Sequence, residues 1–111
     1  MNEYRIVKTD FFAKQVKKLS KRYRNIETDI DNFLEQITAI DDLGIALGNN
    51  LFKARLKNTS AQRGKRGGYR LITHVNYPQK QIAFIYIYSK SDLENVSEQE
   101  LDEIIKRTSL S

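Results

Sequence analysis

Hydrophobic positions along the chain recur with two different periods, and the switches between them mark out its elements. Tyr4 to Val7 is short and rich in β-forming side chains, which predicts a first strand. Asp10 is placed to cap a helix running to about Arg22, in which Phe12, Val16 and Leu19 fall at helical spacing with lysines on the other side. A second helix is predicted from about Asn25 to Ala39. Its stripe of Ile26, Ile30, Phe33, Leu34 and Ile37 is the strongest periodic signal in the chain and marks a face packed on a core. Asp41 to Asn50 holds Gly44, Gly48 and two asparagines and reads as a loop.

The period then changes to two. In Leu51 to Lys57 the side chains of Phe52, Ala54 and Leu56 point one way and those of Lys53, Arg55 and Lys57 the other. Asn58 to Gly68 is a polar connection, Tyr69 to Val75 is another strand, and Asn76 to Gln79, with Pro78, is a turn. Ile82 to Tyr88 is apolar throughout, as expected of a central strand covered on both faces. Alternation puts Phe84, Tyr86 and Tyr88 on one face of it, with Tyr88 the most open. Ser97 and Glu100 have capping-box spacing ahead of a last helix carried by Leu101, Ile104 and Ile105. The predicted order is β-α-α-β-β-β-α. That is an α+β fold with a mainly antiparallel sheet, helices covering one face and the opposite face left to bind something. With 111 residues, the chain is expected to form one domain over 1–111.

Composition changes this picture mainly through charge. The formal net charge is +5, which suits a polyanionic partner. The distribution says more than the total. From Lys53 to Arg70 there are three lysines and four arginines, and no Asp or Glu occurs between Asp42 and Asp92. A surface that faces phosphates needs such segregation, because a carboxylate there would repel the ligand. The chain has no cysteine, which rules out thiolate nucleophiles and zinc–thiolate sites. No apolar run has membrane-spanning length, and Met1-Asn2-Glu3-Tyr4 lacks the basic and apolar regions of a secretory signal. A cytoplasmic protein with no membrane partner is therefore expected.

Lys53, Arg55 and Lys57 share one face of one strand, where like charges repel unless a bound polyanion offsets the repulsion. A solvated edge strand protected by lysine would show the same pattern. Arg63-Gly64-Lys65-Arg66-Gly67-Gly68-Tyr69-Arg70 is the most distinctive stretch. Its glycines let backbone approach a ligand, and Arg63, Lys65 and Arg66 are candidate RNA-binding residues together with Lys57. Arg70 lies inside the following strand, where a fixed guanidinium suits two-point phosphate contact. Tyr88 is a candidate for contact with the RNA, and Lys90 follows it directly. His74 shares a strand face with Arg70 and Ile72. As the only histidine it suggests a general base, although a lone strand histidine is more often structural. One histidine and no cysteine make no metal-ligand cluster.

Three segments together resemble the RelE/HigB toxins of bacterial toxin–antitoxin pairs, most closely the HigB-like branch. They are Gly48-Asn49-Asn50-Leu51-Phe52-Lys53-Ala54-Arg55-Leu56, then Gly64-Lys65-Arg66-Gly67-Gly68-Tyr69-Arg70-Leu71-Ile72, then Ile85-Tyr86-Ile87-Tyr88-Ser89-Lys90 followed by a capped helix. The resemblance implies a compact RelE-like fold and ribosome-dependent cleavage of mRNA without a cofactor or metal. It also implies a cognate antitoxin protein, expected to carry a helix-turn-helix domain. Lys53 and Arg55 match the family's basic pair, Arg70 its phosphate-stabilising arginine, and Lys90 a lysine after the last strand. Ser91 stands where RelE has an arginine, and the tyrosine at the start of RelE's last helix has no counterpart around Val96 and Ser97.

The mechanism expected on this basis is attack of a ribose 2′-OH on the adjacent phosphate. Lys53, its ammonium group crowded by Arg55 and Lys57, would help to deprotonate the 2′-OH. Arg70 would stabilise the transition state, and Lys90 or Tyr88 would assist the leaving oxygen. Two other readings stay open on the same fold: a ParE-like gyrase inhibitor and a non-catalytic RNA-binding module.

Overall fold

The structure, a computed structural model, describes residues 3–61, 68–91 and 97–108. Its elements are β1 (Arg5–Lys8), α1 (Asp10–Ser20), α2 (Ile26–Gln36), a 3-10 turn (Ile40–Leu43), β2 (Ile45–Gly48), β3 (Leu51–Leu56), β4 (Tyr69–Asn76), β5 (Gln81–Ser89) and α3 (Glu98–Thr108). The five strands form one sheet in the order β1-β5-β4-β3-β2. Only β1 runs parallel to its neighbour, β5; the other pairs are antiparallel. The α+β class, the antiparallel meander and the cover of one face by α1 and α2 therefore match the reading of the sequence, while α3 packs through Ile104 on part of the other face.

Several boundaries move, each for a local reason. The first helix is capped by Thr9, not Asp10. The Thr9 hydroxyl accepts from the Phe12 amide at 3.2 Å and donates to the Phe84 carbonyl at 2.9 Å, so one side chain both caps α1 and ties it to β5. Asp10 falls in the first turn, where its charge complements the helix dipole. The helix stops at Ser20, short of Arg22. The second helix ends at Gln36, before Ala39, because Ile37 turns to extended backbone and sends its side chain into the core. Asp42 accepts hydrogen bonds from the Thr38 and Ala39 amides at 2.8 and 3.1 Å and holds the chain in that turn.

The expected loop from Asp41 to Asn50 contains a strand. β2 pairs with β3 through a two-residue hairpin whose central residues, Asn49 and Asn50, both have positive φ, 53° and 63°. A tight hairpin needs that conformation, and asparagine tolerates it better than most residues do. Gly44 (φ 97°) enters β2 so close to β3 that a Cβ there would collide with the backbone of Lys53 and Ala54.

The main core lies between one sheet face and the pair α1 and α2. Phe12, Val16, Leu19, Ile26 and Ile30 pack on Leu56, Tyr69, Leu71, Val75, Ile82, Phe84 and Ile87. A smaller cluster collects Leu51, Ile72, Ala83 and Ile85 with Ile104 of α3. Ser97 and Glu100 form the expected cap, the Glu100 amide donating to the Ser97 hydroxyl at 3.2 Å. The side chains of Leu101 and Ile105 lie outside the described set.

The two clusters are separated by an irregularity in β5. Ile72 pairs with Tyr86 and Thr73 with Phe84, leaving Ile85 as an inserted residue. Such a bulge breaks the alternation of side chains. Phe84 therefore sits edge-on to Phe12 in the main core, with ring centroids 5.5 Å apart. Tyr86 stacks on Phe11 beside the second cluster, also at 5.5 Å. The single face expected for Phe84, Tyr86 and Tyr88 is thus split, and Phe84 is on the other side.

Gly44→Ala and Gly48→Ala make a controlled pair, since both glycines have φ near 95° but a Cβ at Gly48 would meet nothing within 4 Å. Each substitution is expected to cost about 1–3 kcal/mol of backbone strain, and Gly44→Ala about 1–3 kcal/mol more from overpacking. Urea midpoints of the two variants test this, and equal losses would contradict the close approach at Gly44.

Candidate nucleic-acid interface

The register of the meander places the candidate cations in rows across the sheet. Arg55 pairs with Arg70, and Arg70 with Tyr88. In the next row Ile45 pairs with Lys53, Lys53 with Ile72, and Ile72 with Tyr86. Alternation gives Lys53, Arg55 and Arg70 the face opposite the α1–α2 core, so the structure brings these three together with Tyr88.

They differ in how firmly they are held. Arg55 is exposed and Lys53 is half-buried. Arg70 is only 8% exposed, and its Nη1 donates to the Tyr69 carbonyl at 3.2 Å. Burial and, next, the charge of Arg55 pull the Arg70 guanidinium below its usual pKa, while Tyr88 acts in the opposite sense. An arginine remains cationic through such shifts. The outcome is one positive charge fixed inside the sheet beside a second on the surface. This arrangement suits an anion that touches both.

Tyr88 does not occupy the open position expected for it. It is 3% exposed, with its ring 5.9 Å from that of Tyr86 and its strand position beside Arg70. The bulge brings both tyrosines onto the Arg70 side, where they pack against each other. Lys90 is half-buried just beyond β5, and its amide donates to the Gly68 carbonyl at 3.0 Å. That bond closes the same end of the sheet. Lys57 falls one residue past the end of β3, at the rim of a cleft shared with Asn32 and Gln36 of α2. Arg63, Lys65 and Arg66 lie outside the described residues.

One charged group was missed by reading the sequence. Glu100, assigned only to a helix cap, also approaches Tyr86: burial first, and then the Glu100 charge, push the Tyr86 hydroxyl pKa up. The capping spacing signals where α3 begins but not where α3 lands on the sheet. His74 lies one row further along, between Leu51 and Ala83, and burial lowers its pKa. Among the described residues no three His, Cys, Asp or Glu side chains converge as a metal site, and no helix is long and apolar enough to cross a membrane.

A five-stranded, mainly antiparallel sheet backed by two helices, with a basic row on its other face, defines the class of protein. The chain belongs to the RelE family, described as the RelE toxin of the RelE/RelB toxin–antitoxin system, whose model matches residues 4–110. The fold is that of Escherichia coli toxin RelE, solved in the free state as a double arginine-to-alanine mutant. That structure shares 17% identity with this chain, covers 95% of it and 97% of its own length, and superposes with a TM-score of 0.55. The intact E. coli RelBE toxin–antitoxin complex also aligns, at 19% identity over 76% of this chain and 93% of that one, with a TM-score of 0.48. No curated protein sequence is matched.

The half-buried His74 generates a pH prediction. Its pKa is lowered in the fold, so the unfolded chain takes up the proton first as pH falls through about 6.5. Stability is therefore expected to decline from about pH 7 to about pH 5.5, and His74→Gln to flatten that decline. Thermal melts of both proteins across this range decide it, and parallel curves would contradict the assignment.

Proposed function

We propose that this RelE-family chain is a ribosome-dependent mRNA endoribonuclease that arrests translation and is neutralised by a cognate antitoxin protein. The observation that carries this reading is the Arg55–Arg70 row, with Lys53 beside it on the sheet face opposite the α1–α2 core. A guanidinium fixed in the sheet keeps its position as charge builds on a phosphate, and such preorganisation is what lowers a barrier. A surface lysine would have to be ordered first, and part of its interaction would be lost in doing so.

The chemistry assigned to this face is attack of a ribose 2′-oxygen on the adjacent phosphorus, with departure of the 5′-oxygen of the next nucleotide. The products are a 2′,3′-cyclic phosphate and a free 5′-hydroxyl. Lys53 assists removal of the 2′-OH proton and Arg70 stabilises the phosphorane-like transition state. Arg55 holds the flanking phosphate, and Lys90 assists the leaving oxygen. Tyr88, being buried, serves by keeping Arg70 in place. Lys57 and the glycine-rich segment with Arg63, Lys65 and Arg66 add backbone contacts. The antitoxin is expected to carry a helix-turn-helix domain, and toxin and ribosome to meet in the cytoplasm.

Arg70→Ala should lower ribosome-dependent mRNA cleavage by on the order of 100-fold or more, with Arg55→Ala losing less. Mapping mRNA 5′ ends after brief expression measures this and tests the alternatives. Cuts in codon register that vanish with Arg70→Ala support the nuclease. DNA damage without cuts would indicate a gyrase inhibitor, and undiminished cutting by Arg70→Ala would refute the mechanism.

A further inference from the structure

A second basic surface lies outside the sheet face. Between Phe11 and Asn25 the chain carries Lys14, Lys17, Lys18, Lys21, Arg22 and Arg24 and no acidic residue. The last three are exposed in the α1–α2 connection. With Asn25, Thr59 and Ser60 they line a cleft of about 340 Å³.

This cleft has a braced floor. The Asn25 amide donates to the Ser60 hydroxyl at 2.8 Å, and Asn25 Nδ2 to Thr59 Oγ1 at 3.1 Å. Thr59 donates in turn to the buried Asp29 carboxylate, from its amide at 3.0 Å and its hydroxyl at 2.8 Å. The Asp29 charge is thus engaged beneath the segment and does not project into the cleft. The exposed acids Glu27 and Asp31 of α2 line a different groove, with Lys8 and Lys17. Arg22 is held over the Tyr23 ring, 5.0 Å from its centroid, and its Nη2 donates to the Tyr23 hydroxyl at 2.8 Å.

Two connections join the cleft to the basic row. The Tyr23 hydroxyl lies 3.3 and 3.4 Å from the hydroxyls of Ser89 and Ser91, at the end of β5 that follows Tyr88. Thr59 also lines the neighbouring cleft that contains Arg55 and Lys57, whose wall includes Asp29 with its carboxylate engaged by Thr59. A cationic path therefore runs from Arg55 past Lys57 and Thr59 to Lys21, Arg22 and Arg24.

We propose that the cleft is a second phosphate site, which binds the backbone of the same RNA strand beyond the segment lying on Arg55 and Arg70. This rests on the reading of that face as RNA-binding, but not on its cutting RNA. A flexible single strand can follow the path over the sheet edge, and the hydroxyl and amide groups of Thr59, Ser60 and Asn25 supply polar contacts among the cations. Closely spaced cations on a braced surface bind phosphates in a salt-dependent way, each contact on a single strand adding about 0.7 to the slope of log affinity against log salt.

The test uses fully 2′-O-methylated oligonucleotides, which offer phosphates but no 2′-OH to attack, so its outcome is separate from cleavage. Fluorescence anisotropy compares a strand of roughly four nucleotides with one of roughly twelve, within the usual span of single-strand sites. The parent should bind the longer strand at least ~10-fold more tightly. The triple variant Lys21→Gln, Arg22→Gln, Arg24→Gln should lose that gain, with the salt slope reduced by about 2. A control variant, Lys14→Gln, Lys17→Gln, Lys18→Gln, removes the same charge from exposed helix positions and should keep most of the gain. Thermal melts establish that both variants are folded. The proposal is overturned if the triple variant keeps the length-dependent gain, or if the control loses as much.

Discussion

The basic face depends on one backbone irregularity, the insertion of Ile85 into β5. Without it, strict alternation would carry Tyr86 and Tyr88 to the same side as Phe84, into the core beneath α1 and α2. With it, Phe84 still meets Phe12, while both tyrosines cross to the side of Arg70. The bulge thus satisfies two demands on one strand. The main core keeps its aromatic pair, and the opposite face gains a packed wall against which an arginine can be buried. Ile85 itself joins Ile72 and Ile104 in the smaller cluster, so the inserted residue also anchors α3.

The placement of Arg70 follows from this arrangement. Burying a guanidinium next to another arginine is electrostatically unfavourable, and both burial and Arg55 disfavour its charge. A site that pre-stores such repulsion is relieved when an anion binds. The neighbouring connections fit the same logic. The basic turn after α1 is braced through Tyr23 to the end of β5, and the Thr59 segment is clamped by Asp29. The cations therefore lie on backbone held from several directions, and the main acidic group near them is committed to a structural role.

Much of this was legible in the sequence because it depends on periodicity. The two-residue spacing of Lys53 and Arg55 put them on one face whatever the partner strands were, and the stripe from Ile26 to Ile37 marked the core side of α2. What escaped was set by pairing between distant residues. The bulge at Ile85 leaves no local mark, since Ile82 to Tyr88 is apolar on both sides of it. Tyr88, near the strand end and so expected in the open, is buried. The strand β2 is hidden by its shortness and by the glycines at its two ends, Gly44 just before it and Gly48 as its last residue, although Asn49-Asn50 carries a hairpin signal. The cleft after α1 has no signal in the sequence, because lysines along an amphipathic helix look like an ordinary solvated face until the fold sets Thr59 and Ser60 beside Lys21, Arg22 and Arg24.

On the proposed function, Lys53, Arg55 and Arg70 form one surface that meets RNA directly. Amide ¹H–¹⁵N spectra recorded while an uncuttable 2′-O-methyl RNA is titrated in test it most simply. The account predicts that the amide signals of Lys53, Arg55, Arg70 and Tyr88 move together and saturate at one RNA concentration, while Val16 and Ile30 in the opposite core stay fixed. RNA that binds tightly yet leaves Arg55 and Arg70 unmoved would contradict it.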